Sequence, residues 1–165
     1  MSLPSWAVVT PERRGHIERV ASLLSAWAVA MDVPDSERAR WLKAAWLHDA
    51  LRDAPAASEL EHGPFAAERA ARDGERDQGV LEAVRYHSLG YAGWDDVGKM
   101  LYLADYLEPG RKFDRELRRE LATRVPGERD RVLREVAERR IGRVLPSGWP
   151  LARETVDFWN ALVSR

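Results

Sequence analysis

The chain has 165 residues, enough for one domain with a real core. Its 45% hydrophobic and 32% charged residues are an ordinary globular mixture, and a net charge of -1 gives no global electrostatic case for nucleic acid or an acidic membrane. The absence of cysteine excludes disulfides, thiolate metal sites and cysteine nucleophiles, so any metal must be held by nitrogen and oxygen. No apolar run approaches membrane-spanning length and the N-terminus has no signal-peptide pattern, so a cytoplasmic location is expected. The seven tryptophans are expected mostly to fill core.

Met1 to Val9 reads as an irregular lead-in. Thr10 and Pro11 open a first helix, as N-cap and first helical residue. Its apolar stripe is Ile17, Val20, Leu23, Leu24, Trp27 and Met31, with His16 at the head and facing inward. Pro34-Asp35-Ser36 opens a second helix that Pro55 is expected to end. Leu42, Ala45, Trp46 and Asp49 share one face there, which puts a carboxylate on the core stripe. A lone buried carboxylate is costly unless it is paired or binds a cation. His48 stands beside it, and Arg52 and Asp53 follow one turn on.

Residues 56–61 read as a short helical turn, and His62-Gly63-Pro64 as a junction in which Pro64 opens a third helix through about Arg72. Asp77 starts a fourth helix, with Val80, Leu81, Val84 and His87 on its inward stripe and the exit at Gly90. Tyr91 to Trp94 is a loop. Asp95 caps a fifth helix, on which Val97, Leu101, Ala104, Asp105 and Glu108 share a face until Pro109-Gly110 breaks it and Arg111 follows. Residues 114–124 and 128–144 read as two amphipathic helices with solvated faces. Their basic pairs, Arg118-Arg119 and Arg139-Arg140, are interleaved with glutamate, which argues against nucleic acid. After a turn at Pro146–Pro150, a last helix should pack through Ala152, Thr155, Val156, Trp159 and Val163. The expected fold is all-α, about eight helices in a single domain over 1–165. Its metal-binding core spans about 10–112, with a C-terminal helical extension over about 113–165.

All four histidines and two inward aspartates thus lie on helix faces or at helix junctions. Six nitrogen and oxygen donors are too many for one tetrahedral site and suit two metals sharing a carboxylate. Imidazole with carboxylate is compatible with iron, manganese or zinc. Two adjacent metals can clamp a phosphate oxygen, which points to hydrolysis of a phosphate ester or anhydride.

The order His, His-Asp, His, His, Asp resembles that of HD-domain phosphohydrolases. The strings Trp46-Leu47-His48-Asp49, Glu61-His62-Gly63-Pro64 and Arg85-Tyr86-His87 narrow it, as does Leu103-Ala104-Asp105-Tyr106-Leu107-Glu108-Pro109-Gly110-Arg111. Together they resemble the YqeK family of symmetrical diadenosine tetraphosphate hydrolases, which use a di-iron centre. The similarity runs from about His16 to Arg111 and more faintly from Trp149 to Asn160. It implies His16, His48, Asp49 and Asp105 on one metal and His62 and His87 on the other, with Asp49 bridging. It also implies that a metal-bound hydroxide cleaves the central anhydride to give two ADP.

Arg52, Arg85 and Arg111 are the candidate groups to offset phosphate charge, Arg52 and Arg111 together with Asp49 as the catalytic set. The family usually has lysine at the position of Arg52; arginine clamps phosphate well but does not give up a proton, so a clamp role is expected. The loop after His87 usually carries a threonine pair and a basic residue. Here it reads Ser88-Leu89-Gly90-Tyr91, and Gly90 and Tyr91 are expected near substrate. Tyr91 or Trp94 could stack on a base, though packing on the fold is the stronger expectation. The alternatives are an HD-type phosphatase or phosphodiesterase on another nucleotide, and a non-catalytic nucleotide-binding module. The expected partner is a dinucleoside polyphosphate, with no nucleic acid or membrane, and a homodimer is compatible with the chain.

Overall fold

The computed structural model describes residues 1–55 and 58–164, and these are helical with no strand among them. Seven α-helices run in order: α1 (Pro11–Ala30), α2 (Asp35–His48), α3 (His62–Arg72), α4 (Gln78–Tyr86), α5 (Asp96–Leu107), α6 (Arg115–Val144) and α7 (Arg153–Val163), with one 3₁₀ turn at Leu145–Ser147. None of them is long and apolar enough to cross a membrane.

The cap chemistry read from the sequence holds at three starts. Thr10 accepts from the Arg13 N–H, Asp77 from Val80 and Asp95 from Val97, each satisfying an orphan donor of the first turn. Thr10 also donates to Asp53 through its N–H (2.8 Å) and its hydroxyl (3.0 Å), which fastens the head of α1 to the turn after α2. The Val8 N–H donates to the Ala50 carbonyl at 2.8 Å, so the lead-in lies along the same turn.

Helix α5 is the centre of the fold: every residue from Met100 to Leu107 is buried. Helices α1, α2, α4 and α6 surround it, and α3 packs on α2 and α4. Trp41, Tyr102, Ile17, Leu24 and Met100 are among the largest fully buried side chains. Each contributes on the order of 2–3 kcal/mol by leaving water. Trp27, Trp41 and Trp94 are in the core, Trp6, Trp46 and Trp159 pack against it, and Trp149 stands exposed.

Three expectations change. Helix α2 ends at His48, not near Pro55: Asp49 is its C-cap, with φ -109° and ψ 14°, and the chain turns through residues 50–53. Helix α3 begins at His62, two residues before Pro64. Of the expected turn at 56–61, Ala56 and Ala57 lie outside the described residues, and Ser58 to Glu61 form a turn whose last N–H donates to Ser58.

The two helices expected beyond residue 114 are present as the two halves of α6, which meet at a non-helical residue, Glu128 (φ -137°, ψ 35°), two residues after Pro126. Proline removes one ladder donor there, and the helical backbone breaks at Glu128 before it resumes. On α7 the buried anchor is Phe158, which packs edge-on against Trp94 and Tyr102, while Val156 is exposed. The packing stripe is therefore Thr155, Phe158, Trp159 and Leu162, which keeps Thr155 and Trp159 of the expected stripe and replaces Val156 by Phe158.

Candidate metal centre

The ends and faces of five helices bring six donors into one buried cluster. His16 comes from the first turns of α1, His48 and Asp49 from the end of α2, His62 from the start of α3, His87 from the C-cap of α4 and Asp105 from α5. All six are buried. They form two groups that share Asp49: His16 and His48 with Asp49, and His62 and His87 with Asp49.

The Asp49 carboxylate divides between them. Its Oδ2 lies 3.6 Å from His16 Nε2 and 3.7 Å from His48 Nε2. Its Oδ1 lies 3.1 Å from His62 Nε2 and 3.4 Å from His87 Nε2. Asp105 joins the first group, with Oδ1 at 3.1 Å from His16 Nε2.

Each imidazole is fixed from behind through Nδ1. His48 and His87 donate to the carbonyls of Ala45 and Val84, both at 2.7 Å. A carbonyl only accepts, so the proton sits on Nδ1 and Nε2 presents a bare lone pair to the centre. His62 Nδ1 faces the Ser58 carbonyl at 3.4 Å in the same way. His16 Nδ1 lies 3.0 Å from Glu108 Oε1, and that carboxylate is in turn bound by Arg19 Nε at 2.7 Å and the Gly110 N–H at 2.6 Å. A carboxylate behind a histidine orients the ring and raises its basicity as a ligand.

Lone pairs that face one another need a cation. His62 Nε2 and His87 Nε2 are 3.0 Å apart, and His16 Nε2 and His48 Nε2 are 3.4 Å apart, all beside an aspartate that only accepts. These contacts repel unless positive charge lies among them. A metal ion at nitrogen and oxygen donors of this kind meets the need, so the residues present fit one.

The acid–base states follow from burial and from the neighbouring charges. Burial pushes the His48 pKa down to about 4, so its ring is neutral. Burial alone would raise Asp49, but His48, His62 and His87 hold it well below the usual carboxylate range. Asp105 is likewise held well below it against burial, by Arg111, His16 and Arg140. Glu108 is drawn down to about 2, burial being outweighed by His16, Arg19 and the Gly110 N–H. His16 is raised, since Asp105 and Glu108 outweigh its burial.

Of Arg52, Arg85 and Arg111, the three expected to offset phosphate charge, Arg111 lies at the cluster. Its Nη2 donates to Asp105 Oδ1 and to the Asp105 carbonyl, each at 2.6 Å. Arg52 turns instead toward Glu59 at 3.6 Å and Arg85 toward Glu68 at 3.8 Å. Tyr91 stacks on Tyr86, with ring centroids 4.4 Å apart, and Trp94 is core, its indole N–H donating to the Glu82 carbonyl at 3.1 Å. Gly90 takes a positive φ of 87° and lies directly against Phe158, so a side chain there would meet both strain and a clash.

Two further arginines hold the cluster's carboxylates. Arg13 Nη1 donates to Asp49 Oδ2 and Arg140 Nη2 to Asp105 Oδ2, both at 2.8 Å. Arg13 had a local signal, standing three residues before His16 on one helix face. Glu108 had one too, three residues after Asp105. Arg140 had none, because 35 residues separate it from its partner.

The architecture and this cluster define an HD-type metal-binding helical protein. The HD domain profile matches residues 13–110, more than half of the chain, and the chain belongs to that family. Among proteins with established names, it is similar to two called symmetrical bis(5'-nucleosyl)-tetraphosphatase. That of Bacillus subtilis (strain 168) is 43% identical over 56 residues, 33% of this chain and 30% of the relative. That of Staphylococcus aureus (strain NCTC 8325 / PS 47) is 30% identical over 105 residues, 62% of this chain and 54% of the relative. The chain thus spans about half or less of each. A crystal structure from Clostridium acetobutylicum, described as a "predicted HD superfamily hydrolase involved in NAD metabolism", superposes with a TM-score of 0.78. It is 21% identical and covers 95% of this chain and 92% of its own, which establishes the shared fold.

Proposed function

We propose that residues 1–165 act as one unit, a metal-dependent hydrolase of dinucleoside tetraphosphates that cleaves diadenosine tetraphosphate symmetrically to two ADP. The observation that carries this reading is the division of Asp49 between two histidine pairs, Oδ2 toward His16 and His48 and Oδ1 toward His62 and His87. In this reading His16, His48, Asp49 and Asp105 hold one ion, His62 and His87 with Asp49 hold a second, and iron is the metal. The names of the two tetraphosphatase relatives support the substrate class.

The metal ions, when bound, supply Lewis acidity toward phosphate oxygens and lower the pKa of water. The chain's own residues do the rest. Backbone carbonyls behind His48 and His87 keep the donor tautomers, and Glu108 does so for His16. Arg111, about a third exposed, is placed to meet a phosphate oxygen beside Asp105. Arg13 donates to Asp49 Oδ2 and is about a quarter exposed. Arg52 reaches substrate by exchanging the exposed Glu59 for phosphate.

Iron-loaded protein incubated with diadenosine tetraphosphate should give ADP as sole product by chromatography. An AMP and ATP pair, or no turnover, overturns the reading. A second reading, a phosphatase or phosphodiesterase on another nucleotide, is favoured by one observation. Tyr91 is stacked on Tyr86 and Trp94 is buried, so the expected base platforms are already in use. Rapid hydrolysis of a different nucleotide in the same assay selects it.

A further inference from the structure

Arg140 belongs to α6, beyond the segment matched by the family profile, yet its guanidinium ends inside the donor cluster. Nη2 donates to Asp105 Oδ2 at 2.8 Å and to the Tyr102 carbonyl at 3.3 Å, and Nη1 donates to the His87 carbonyl at 3.3 Å. The guanidinium carbon lies 4.2 Å from the centre of the Tyr102 ring and 5.4 Å from that of Tyr106. Cation–π attraction and the planar fork fix the group in one orientation.

Three consequences follow for the cluster. Oδ1 of Asp105 faces His16 and Arg111, so among the described residues Arg140 holds Oδ2 and sets the plane of the carboxylate. The bond to the His87 carbonyl sets the backbone of a donor in the other group. Finally, Asp105 has a second, more buried cation, so Arg111 can turn toward an anion without stranding the carboxylate.

We propose that Arg140 is a positioning residue of the metal centre: one guanidinium delivered from the C-terminal helix keeps Asp105 and His87 at the spacing both donor groups need. The inference rests on the reading that this cluster holds metal ions.

The test is calorimetric titration of metal-free protein with Mn²⁺, with thermal melting of the metal-free form alongside. Arg140→Gln should bind Mn²⁺ roughly 10- to 100-fold more weakly. Arg140→Lys should recover part of that loss. Arg124→Gln, on the same helix and paired with Glu128 and Glu135 in solvent, should bind as wild type. At saturating Mn²⁺, Arg140→Gln should regain the wild-type KM for diadenosine tetraphosphate. A loss of fold alone would not produce that recovery.

Unchanged Mn²⁺ affinity in Arg140→Gln overturns the proposal, and so does equal weakening in Arg124→Gln. If Arg140→Gln does not fold, the same comparison is made on Arg140→Lys, where unchanged affinity overturns it. Wild-type protein that binds no Mn²⁺ or iron would instead overturn the metal reading itself.

Discussion

The two sides of the donor cluster are built from the same residue types and held in different ways. The His16–His48 side is braced by charge. Glu108 and Arg19 stand behind His16, and Asp105 carries both Arg111 and Arg140. The His62–His87 side has only carbonyls behind its rings, those of Ser58 and Val84, and depends on how closely α3 approaches α4. Gly63 permits that approach: a Cβ there would lie 2.9 Å from the carbonyl oxygens of both Val84 and Arg85 and 3.2 Å from His87 Cε1. One side should therefore fail when charges are removed and the other when backbone spacing is disturbed.

The largest effect should come from the residue the two sides share. Asp49→Ala removes an oxygen from each group and leaves four imidazoles without a carboxylate between the pairs. Turnover of diadenosine tetraphosphate should be abolished, and elemental analysis should find both ions lost. Retention of activity together with metal would end the assignment of the centre.

Gly63→Ala should separate the sides. The added methyl must push α3 away from α4 or shift the His87 ring, at a stability cost of about 1–3 kcal/mol. Metal titration should show the stoichiometry falling from two ions to one, the survivor on the charged side. Two ions at wild-type affinity would mean that spacing does not govern the carbonyl-backed side.

Glu108→Gln is the matching test of the charged side, with a smaller effect because the ring stays in place. Metal affinity of one ion should drop roughly 10- to 100-fold, with the other unchanged. The same variant has a pH signature in the metal-free protein. Glu108 has its pKa lowered to about 2 in the folded chain, from an ordinary 4.5. Its contribution is therefore present above pH 4.5 and lost as pH falls toward 2. Chemical denaturation across that window should show a shallower loss of stability in Glu108→Gln than in wild type, and an unchanged slope would remove Glu108 from the network.

Both sides of the cluster were legible in the sequence only in part. Apolar spacing placed His16, His87 and Asp105 on inward faces, because helical periodicity is local and survives any tertiary arrangement. The caps at Thr10, Asp77 and Asp95 were legible for the same reason. The end of α2 was not. Asp49 lies on the periodic stripe, yet its backbone leaves the helix there, and that departure turns its two oxygens toward different histidine pairs. On α7, Thr155 donates to the Leu89 carbonyl at 2.8 Å and Phe158 fills the space beside Gly90; those tertiary contacts set the register. Arg139-Arg140 read as a solvated basic pair because nothing local separates the two. Only the packing of α6 on α5 sends the second to Asp105.

The smallest expected effect lies outside both sides, at Arg52. It sits in the turn after Asp49, with Nη2 3.6 Å from a carboxylate oxygen of the largely exposed Glu59. A pair of that kind contributes less than about 1 kcal/mol, so Arg52 is held loosely. Arg52→Lys should leave the melting temperature unchanged. If Arg52 meets phosphate as a two-pronged clamp, lysine replaces two hydrogen bonds by a point charge. A loss of about 1 kcal/mol corresponds to a KM raised about fivefold with kcat unaltered. Steady-state kinetics on diadenosine tetraphosphate reads the split directly. A fall in kcat at constant KM would place Arg52 in the bond-breaking step rather than in binding. No change in either would leave Glu59 as its only partner and confine phosphate recognition to the charged side, at Arg111 and Arg13.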